Sequence, residues 1–256
     1  MKAFYAFIKK ELQEQLRTGR LTVLAILFAL FGVMNPAIAK LTPWLLEAFA
    51  NSLEGSGMTV TAVTVTALDS WMQFFKNMPI ALIIFVLLEG GIFTKEYTSG
   101  TLTLSLTKGL GRRTVVLAKS LVLLSLWTAG FWLCYGITYG YSAFFWENAI
   151  AKSLGFSAFC WYLFGVFTVA LTILFSVLST SWAGVFLGVG GTVLSLYLVG
   201  LLPKAGKYMP TFLASGNTLV RGTVGADSFI ASLFITAALC VLLLVASIPI
   251  FDKKQL

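Results

Sequence analysis

The sequence has no histidine, three cysteines, and charged residues at only 11% of its positions. Without histidine there is no imidazole to act as a base near neutral pH or to hold a metal ion. Cys134, Cys160 and Cys240 lie far apart in apolar stretches, with no pair at metal-ligand spacing. They read as packing thiols, not as a redox or metal site. No Gly-x-x-x-x-Gly-Lys-Ser/Thr stretch is present, so the chain has no loop to cradle nucleotide phosphates. Serine and threonine are frequent, but a hydroxyl without a nearby base is a weak nucleophile and a good helix–helix hydrogen-bonding group. No catalytic residue, metal site or bound cofactor is expected, and the chain reads as a non-enzyme.

Apolar residues make up 58% of the sequence, in blocks of about 20, the length that crosses roughly 30 Å of hydrocarbon. Most of these blocks show no polar stripe, which a soluble helix would need. An all-α polytopic membrane protein forming one domain over 1–256 is therefore expected, because a helix satisfies its own backbone where lipid cannot. Six spans are expected: Leu21 to Ala39, Trp71 to Phe93, Val115 to Trp146, Phe156 to Ser179, Trp182 to Leu202, and Ser228 to Phe251. The first 20 residues are polar and no small-residue cleavage site follows a short apolar core, so the first span is read as an anchor and not a cleaved signal.

Placing the amino terminus inside puts Lys2, Lys9, Lys10, Arg17, Arg20, Lys95, Lys108, Arg112, Arg113, Lys119, Lys253 and Lys254 on the inner side. Only Lys40, Lys76, Lys152, Lys204, Lys207 and Arg221 remain outside, which favours both termini in the cytoplasm. The net charge of +8 then reflects topology and contact with anionic membrane lipids, not nucleic-acid binding.

Residues 1–20 read as an amphipathic helix lying along the inner membrane surface. Phe4, Phe7, Ile8, Leu12 and Leu16 recur at helical spacing, while Lys9, Lys10, Gln13, Glu14, Arg17 and Arg20 occupy the other face. The first span is expected to stop at Asn35-Pro36, with Thr42-Pro43 opening a short outer helix from Trp44 to Leu53 and Gly55 to Thr66 forming an external loop. Ser179 to Trp182 predicts a tight antiparallel hairpin between the fourth and fifth spans. Gly184, Gly188, Gly190, Gly191 and Ser195 in the fifth span allow close helix approach, within one subunit or across a dimer seam. The stretch 203–227 is expected to form external loops or short re-entrant helices capping a cavity. The aromatics Trp146 and Trp161 are expected in an interfacial belt. Glu89 is a carboxylate inside an apolar block, so it must be neutral, paired or close to water, and it is read as a structural or gate-lining residue.

Between the second and third spans lies Lys95-Glu96-Tyr97-Thr98-Ser99-Gly100-Thr101, running through Leu106-Thr107-Lys108-Gly109-Leu110-Gly111-Arg112. With Phe7-Ile8-Lys9-Lys10-Glu11-Leu12 and Arg17-Thr18-Gly19-Arg20 before the first span, it resembles the permease subunits of type 2 ABC exporters that carry one six-span domain per chain. The likeness extends over the whole layout. Family members often have Pro then Ser before the arginine, where this chain has Gly109 and Gly111.

This resemblance implies that 94–114 is a cytoplasmic coupling helix, with Glu96, Tyr97, Gly100, Thr101, Leu102, Leu106 and Arg112 meeting an ABC ATPase subunit. Two ATPase copies would supply ATP and Mg, and a second permease chain, in a homodimer, would complete the path in a bacterial plasma membrane. The first, second and fifth spans would line it, and their apolar character suits export of a hydrophobic or amphipathic peptide such as a bacteriocin or a toxin of the phenol-soluble-modulin type. A lipid, an antibiotic or a copper-enzyme maturation system is the alternative within the family. A proton-coupled secondary transporter using Glu89 is the alternative outside it.

Overall fold

Long apolar blocks close their own backbone hydrogen bonds as helices, and the helices then set which side chains meet. The computed structural model describes residues 2–52, 64–107, 109–202 and 204–254. Its helices are α1 (Lys2–Arg17), α2 (Arg20–Ser52), α3 (Ala67–Glu89), α4 (Thr94–Ser99), α5 (Thr101–Thr107), α6 (Arg112–Phe145), α7 (Leu154–Leu178), α8 (Trp182–Gly200), α9 (Gly216–Val220) and α10 (Asp227–Lys253). Short 3-10 turns stand at Asn148–Ile150, Gly206–Tyr208 and Pro210–Ser215, and no strand occurs among the described residues. Among the described residues six helical stretches are long and apolar enough to cross a membrane, and each overlaps one of the six spans read from the sequence.

The first span differs from expectation. α2 does not stop at Asn35-Pro36 but continues through Pro36 and Pro43 to Ser52, so the stretch from Trp44 belongs to the same rod. The reason lies in a neighbouring helix. Pro36 has no N–H to offer the Gly32 carbonyl one turn back, and Thr138 of α6 donates its hydroxyl to that carbonyl at 3.1 Å instead. Asn35 Nδ2 donates to Thr138 Oγ1 at 3.1 Å, and Asn77 Nδ2 of α3 donates to Asn35 Oδ1 at 2.8 Å. All three side chains are buried. Gly32 permits the approach, since a Cβ there would lie 2.8 Å from Ile137 Cβ. Thr138→Val should leave the Gly32 carbonyl and the Asn35 amide unpaired, destabilising the protein by about 1–2 kcal/mol. Unfolding midpoints in a denaturing detergent would show it. Of the expected loop Gly55 to Thr66, only Thr64, Val65 and Thr66 are among the described residues, and they are non-helical.

α7 and α8 form the expected hairpin, with Ser181 Oγ accepting from the Gly184 N–H at 3.1 Å. Within α8 the small residues divide. A side chain at Gly184 would strike Ser179, and one at Gly188 would strike Phe175, so these two serve packing inside the chain. Gly190 and Gly191 open onto free space.

The core is built from interlocked aromatics. Trp127 packs edge-on against Phe28 and Phe85, with ring centroids 5.9 and 5.5 Å away, and Phe131 lies beside it at 5.6 Å. Trp161, expected at the interface, is instead 1% exposed, and its Nε1 donates to the Ala214 carbonyl at 2.8 Å. It is buried because the stretch after α8 folds back over it. Ser157 Oγ donates to the Gly216 carbonyl at 2.7 Å and the Lys152 N–H to the Val220 carbonyl at 3.3 Å, pinning this stretch to the start of α7. Within this stretch Pro210, Leu213, Leu219 and Val220 are buried, and its described residues form short helical turns.

Candidate functional site

The opposite end of the bundle gathers α1, the end of α3, α4, α5, the start of α6 and the end of α10. On α1, Phe7, Glu11 and Gln15 are buried, and Phe4 and Ile8 pack partly against the core. These positions follow three- and four-residue spacing and share one face. Leu12 and Leu16 turn away from it, 39% and 58% exposed beside Tyr5, and Arg17 is exposed as well. The apolar residues of α1 thus split between the bundle and the outside, and two polar residues take the places on the inner face.

Glu11 is held by a ring of charges. Lys119 of α6 is 1% exposed, and its ammonium meets three acceptors: Glu11 Oε2 at 2.8 Å, Glu96 Oε2 at 3.0 Å and the Ile92 carbonyl at 3.2 Å. It donates hydrogen bonds to Glu11 and to the Ile92 carbonyl, and pairs with Glu96 by charge. Lys10 approaches from outside, 2.7 Å from Glu96 Oε1, 3.1 Å from Glu11 Oε1 and 3.3 Å from Glu14 Oε2. Glu11 and Glu96 therefore each bridge Lys10 and Lys119, which balances the charge of the enclosed set. Burial alone would lower the Lys10 pKa, but the carboxylates of Glu96 and Glu11 outweigh it and hold the pKa above the usual lysine range. Glu11, Glu14 and Glu96 stand close enough together to chelate a cation, but the Lys10 ammonium already occupies the position among them.

The helices α4 and α5 project beyond this ring. Gly100, with φ +69°, ends α4 in the left-handed region that glycine adopts without a Cβ clash, and α5 starts at the next residue. Gly100, Thr101 and Thr103 form an exposed tip, while Glu96 and Leu102 face inward, 5% and 1% exposed, and Tyr97 and Leu106 are half-buried. Arg112 also turns inward: its Nη1 donates to the carbonyls of Phe251, Asp252 and Lys254 at 3.0, 3.1 and 2.6 Å, capping the end of α10. Lys254 in turn donates to the Val177 and Ser179 carbonyls at the end of α7, at 2.6 and 3.1 Å. Its ammonium stands 4.2 Å from the centre of the Tyr97 ring, and burial lowers its pKa. Gly109 takes a positive φ of 88°, so the turn before α6 uses glycine's freedom there, whereas Gly111 does not, with φ −67°. Lys108 lies outside the described residues.

Of the residues expected to meet a partner, the fold thus brings Gly100 and Thr101 to the surface and draws Glu96, Leu102 and Arg112 into the joint beneath. Glu89 is fully buried against α1 and accepts from Gln15 Nε2 at 2.7 Å. Glu11, Gln15 and the buried role of Lys119 were missed from sequence. The signal for Lys119 was there: it is a lone cation between Val115-Val116-Leu117-Ala118 and Leu121-Val122-Leu123-Leu124. Glu11 and Gln15 continue the spacing of Phe4, Phe7 and Ile8, but only the partner helices reveal that this face is the buried one.

Further along the bundle, an apolar cavity of about 300 Å³ opens between α3, α7 and α8, lined by Leu82, Val86, Phe164, Phe186, Val189 and Tyr197 among others.

No protein-family model matches the chain. An uncharacterized transmembrane protein of Bacillus subtilis (strain 168), YxlG, is 25% identical over 263 residues, spanning 100% of this chain and 99% of that protein. With the six apolar helices, this similarity places the chain among multi-pass, membrane-embedded proteins.

Proposed function

We propose that the chain is the permease subunit of an ATP-driven exporter of the type 2 ABC class. In this reading the tip at Gly100 and Thr101 docks on a separate ATPase that binds ATP and Mg, at the cytoplasmic face of a bacterial plasma membrane. The observation that carries it is the mechanical design of that end. An exposed helical tip stands on Glu96, which is ion-paired at once to α1 and to α6. A push on the tip therefore reaches the amphipathic helix through a half-buried ion pair and a membrane span through a buried one. The sequence has no nucleotide loop of its own, and in this reading the energy comes from another subunit.

The cavity beside α8 suits a hydrophobic or amphipathic cargo, and we assign the chain to export of an apolar peptide. The bare face of α8 around Gly190 and Gly191 would meet a second copy of the chain, closing the path between two permeases. Proton-coupled transport through Glu89 has less support, because that carboxyl is enclosed against α1.

Purification from native membranes should recover an ATP-binding-cassette subunit in a complex that hydrolyses ATP. Thr101→Arg should uncouple hydrolysis from transport, since it sets a bulky cation on the exposed tip. Transport by the chain alone, driven by a pH gradient without ATP, would overturn the proposal.

A further inference from the structure

Gln15 and Glu89 face each other with one hydrogen bond too few. The Gln15 amide N–H donates to Glu89 Oε2 at 2.7 Å, and both side chains are buried. Glu89 Oε1 and Gln15 Oε1 are also buried, and neither has a hydrogen-bond partner among the described residues. With Glu89 ionised, both are buried acceptors without a donor among the described residues, an arrangement that proteins seldom leave standing.

The charged groups nearby do not supply the missing donor. On α1 the neighbours are Glu11 and Glu14, both acceptors when ionised. Lys119 of α6 donates to Glu11 and to the Ile92 carbonyl, is ion-paired with Glu96, and makes no hydrogen bond or ion pair with Glu89. Arg20 at the start of α2 and Lys95 of α4 line a small crevice with Glu14 and Gln15, and neither makes a hydrogen bond or ion pair with Glu89.

We infer that Glu89 and Gln15 form a proton-binding site that latches α1 onto the end of α3. A proton on Glu89 Oε1 turns that oxygen into a donor toward Gln15 Oε1. The two side chains then close a cyclic acid–amide pair with two hydrogen bonds. Loss of the proton leaves an enclosed anion facing an acceptor and loosens this part of α1. The latch is therefore closed at low pH and weakens as pH rises, because the closed state binds one more proton than the open one.

Glu89→Gln replaces the O–H with an N–H and keeps both hydrogen bonds at every pH. The infrared spectrum of the purified wild-type protein at neutral pH should contain a protonated-carboxyl C=O band that Glu89→Gln removes. Gln15→Met should shift that band toward the frequency of a free acid or abolish it. Hydrogen exchange over α1, taken as the ratio of wild type to Glu89→Gln at matched pH, cancels the intrinsic chemistry. That ratio should stay near unity in the closed range and then rise by up to about tenfold per unit of pH. Absence of the band at neutral pH, a band indifferent to Gln15→Met, or a ratio independent of pH would each overturn the inference.

Discussion

Lys119→Met should destabilise the protein by about 3–5 kcal/mol, the usual effect of removing one partner from a buried ion pair. Lys119 supplies the inner of the two ammoniums that balance Glu11 and Glu96, and its side chain is 1% exposed. Without it those two carboxylates share Lys10 alone, and the Ile92 carbonyl loses a donor. Lys10 is a poor substitute, since its side chain is 43% exposed and already engaged with Glu14. Adding Glu11→Gln and Glu96→Gln to Lys119→Met should recover much of the loss, because neutral groups of similar shape carry a smaller desolvation penalty. Unfolding midpoints of the single and triple variants in denaturing detergent distinguish a charge effect from simple loss of packing. Equal destabilisation of both would show that shape, not charge, holds this end together.

Gly165→Ala should be the most damaging of the small substitutions, at about 3 kcal/mol, the upper part of the usual overpacking range. A Cβ at Gly165 would clash with Cζ2, Cε2 and Nε1 of the Trp127 indole. That ring is fully buried, and its Nε1 donates to the Tyr162 carbonyl at 3.2 Å, so it cannot swing aside without breaking a bond and disturbing Phe28, Phe85 and Phe131. Trp127→Leu should likewise be destabilising alone, but combined with Gly165→Ala the two should fall well short of additive, because the smaller side chain makes room for the methyl. Strict additivity in a double-mutant cycle would show that the two residues do not share the contact.

Both effects turn on neighbours that lie far apart in the sequence. Gly165 reads as one more small residue in an apolar run, and nothing local marks it as the seat of an indole from α6. The stop expected at Pro36 failed for the same reason. A proline's missing N–H is a local fact, whereas its remedy, the Thr138 hydroxyl, comes from a helix about a hundred residues away. Trp161 was misplaced because its partner, the Ala214 carbonyl, belongs to a stretch whose return path into the bundle no periodicity encodes.

The sequence by itself determined the solvent and the scaffold: apolar blocks of membrane length, helices in place of strands, a tight hairpin at Ser179 to Trp182, and an amphipathic first helix. These follow from chain-local physics, namely hydropathy, helical spacing and turn chemistry. Only the tertiary structure decided which face of α1 is buried, and that Glu96 and Arg112 turn inward while Gly100 and Thr101 remain at the tip. It also decided that Lys119 lies among carboxylates and not in lipid. Those outcomes depend on pairing charges across helices, because a buried charge is tolerated only where an opposite one arrives from another part of the chain.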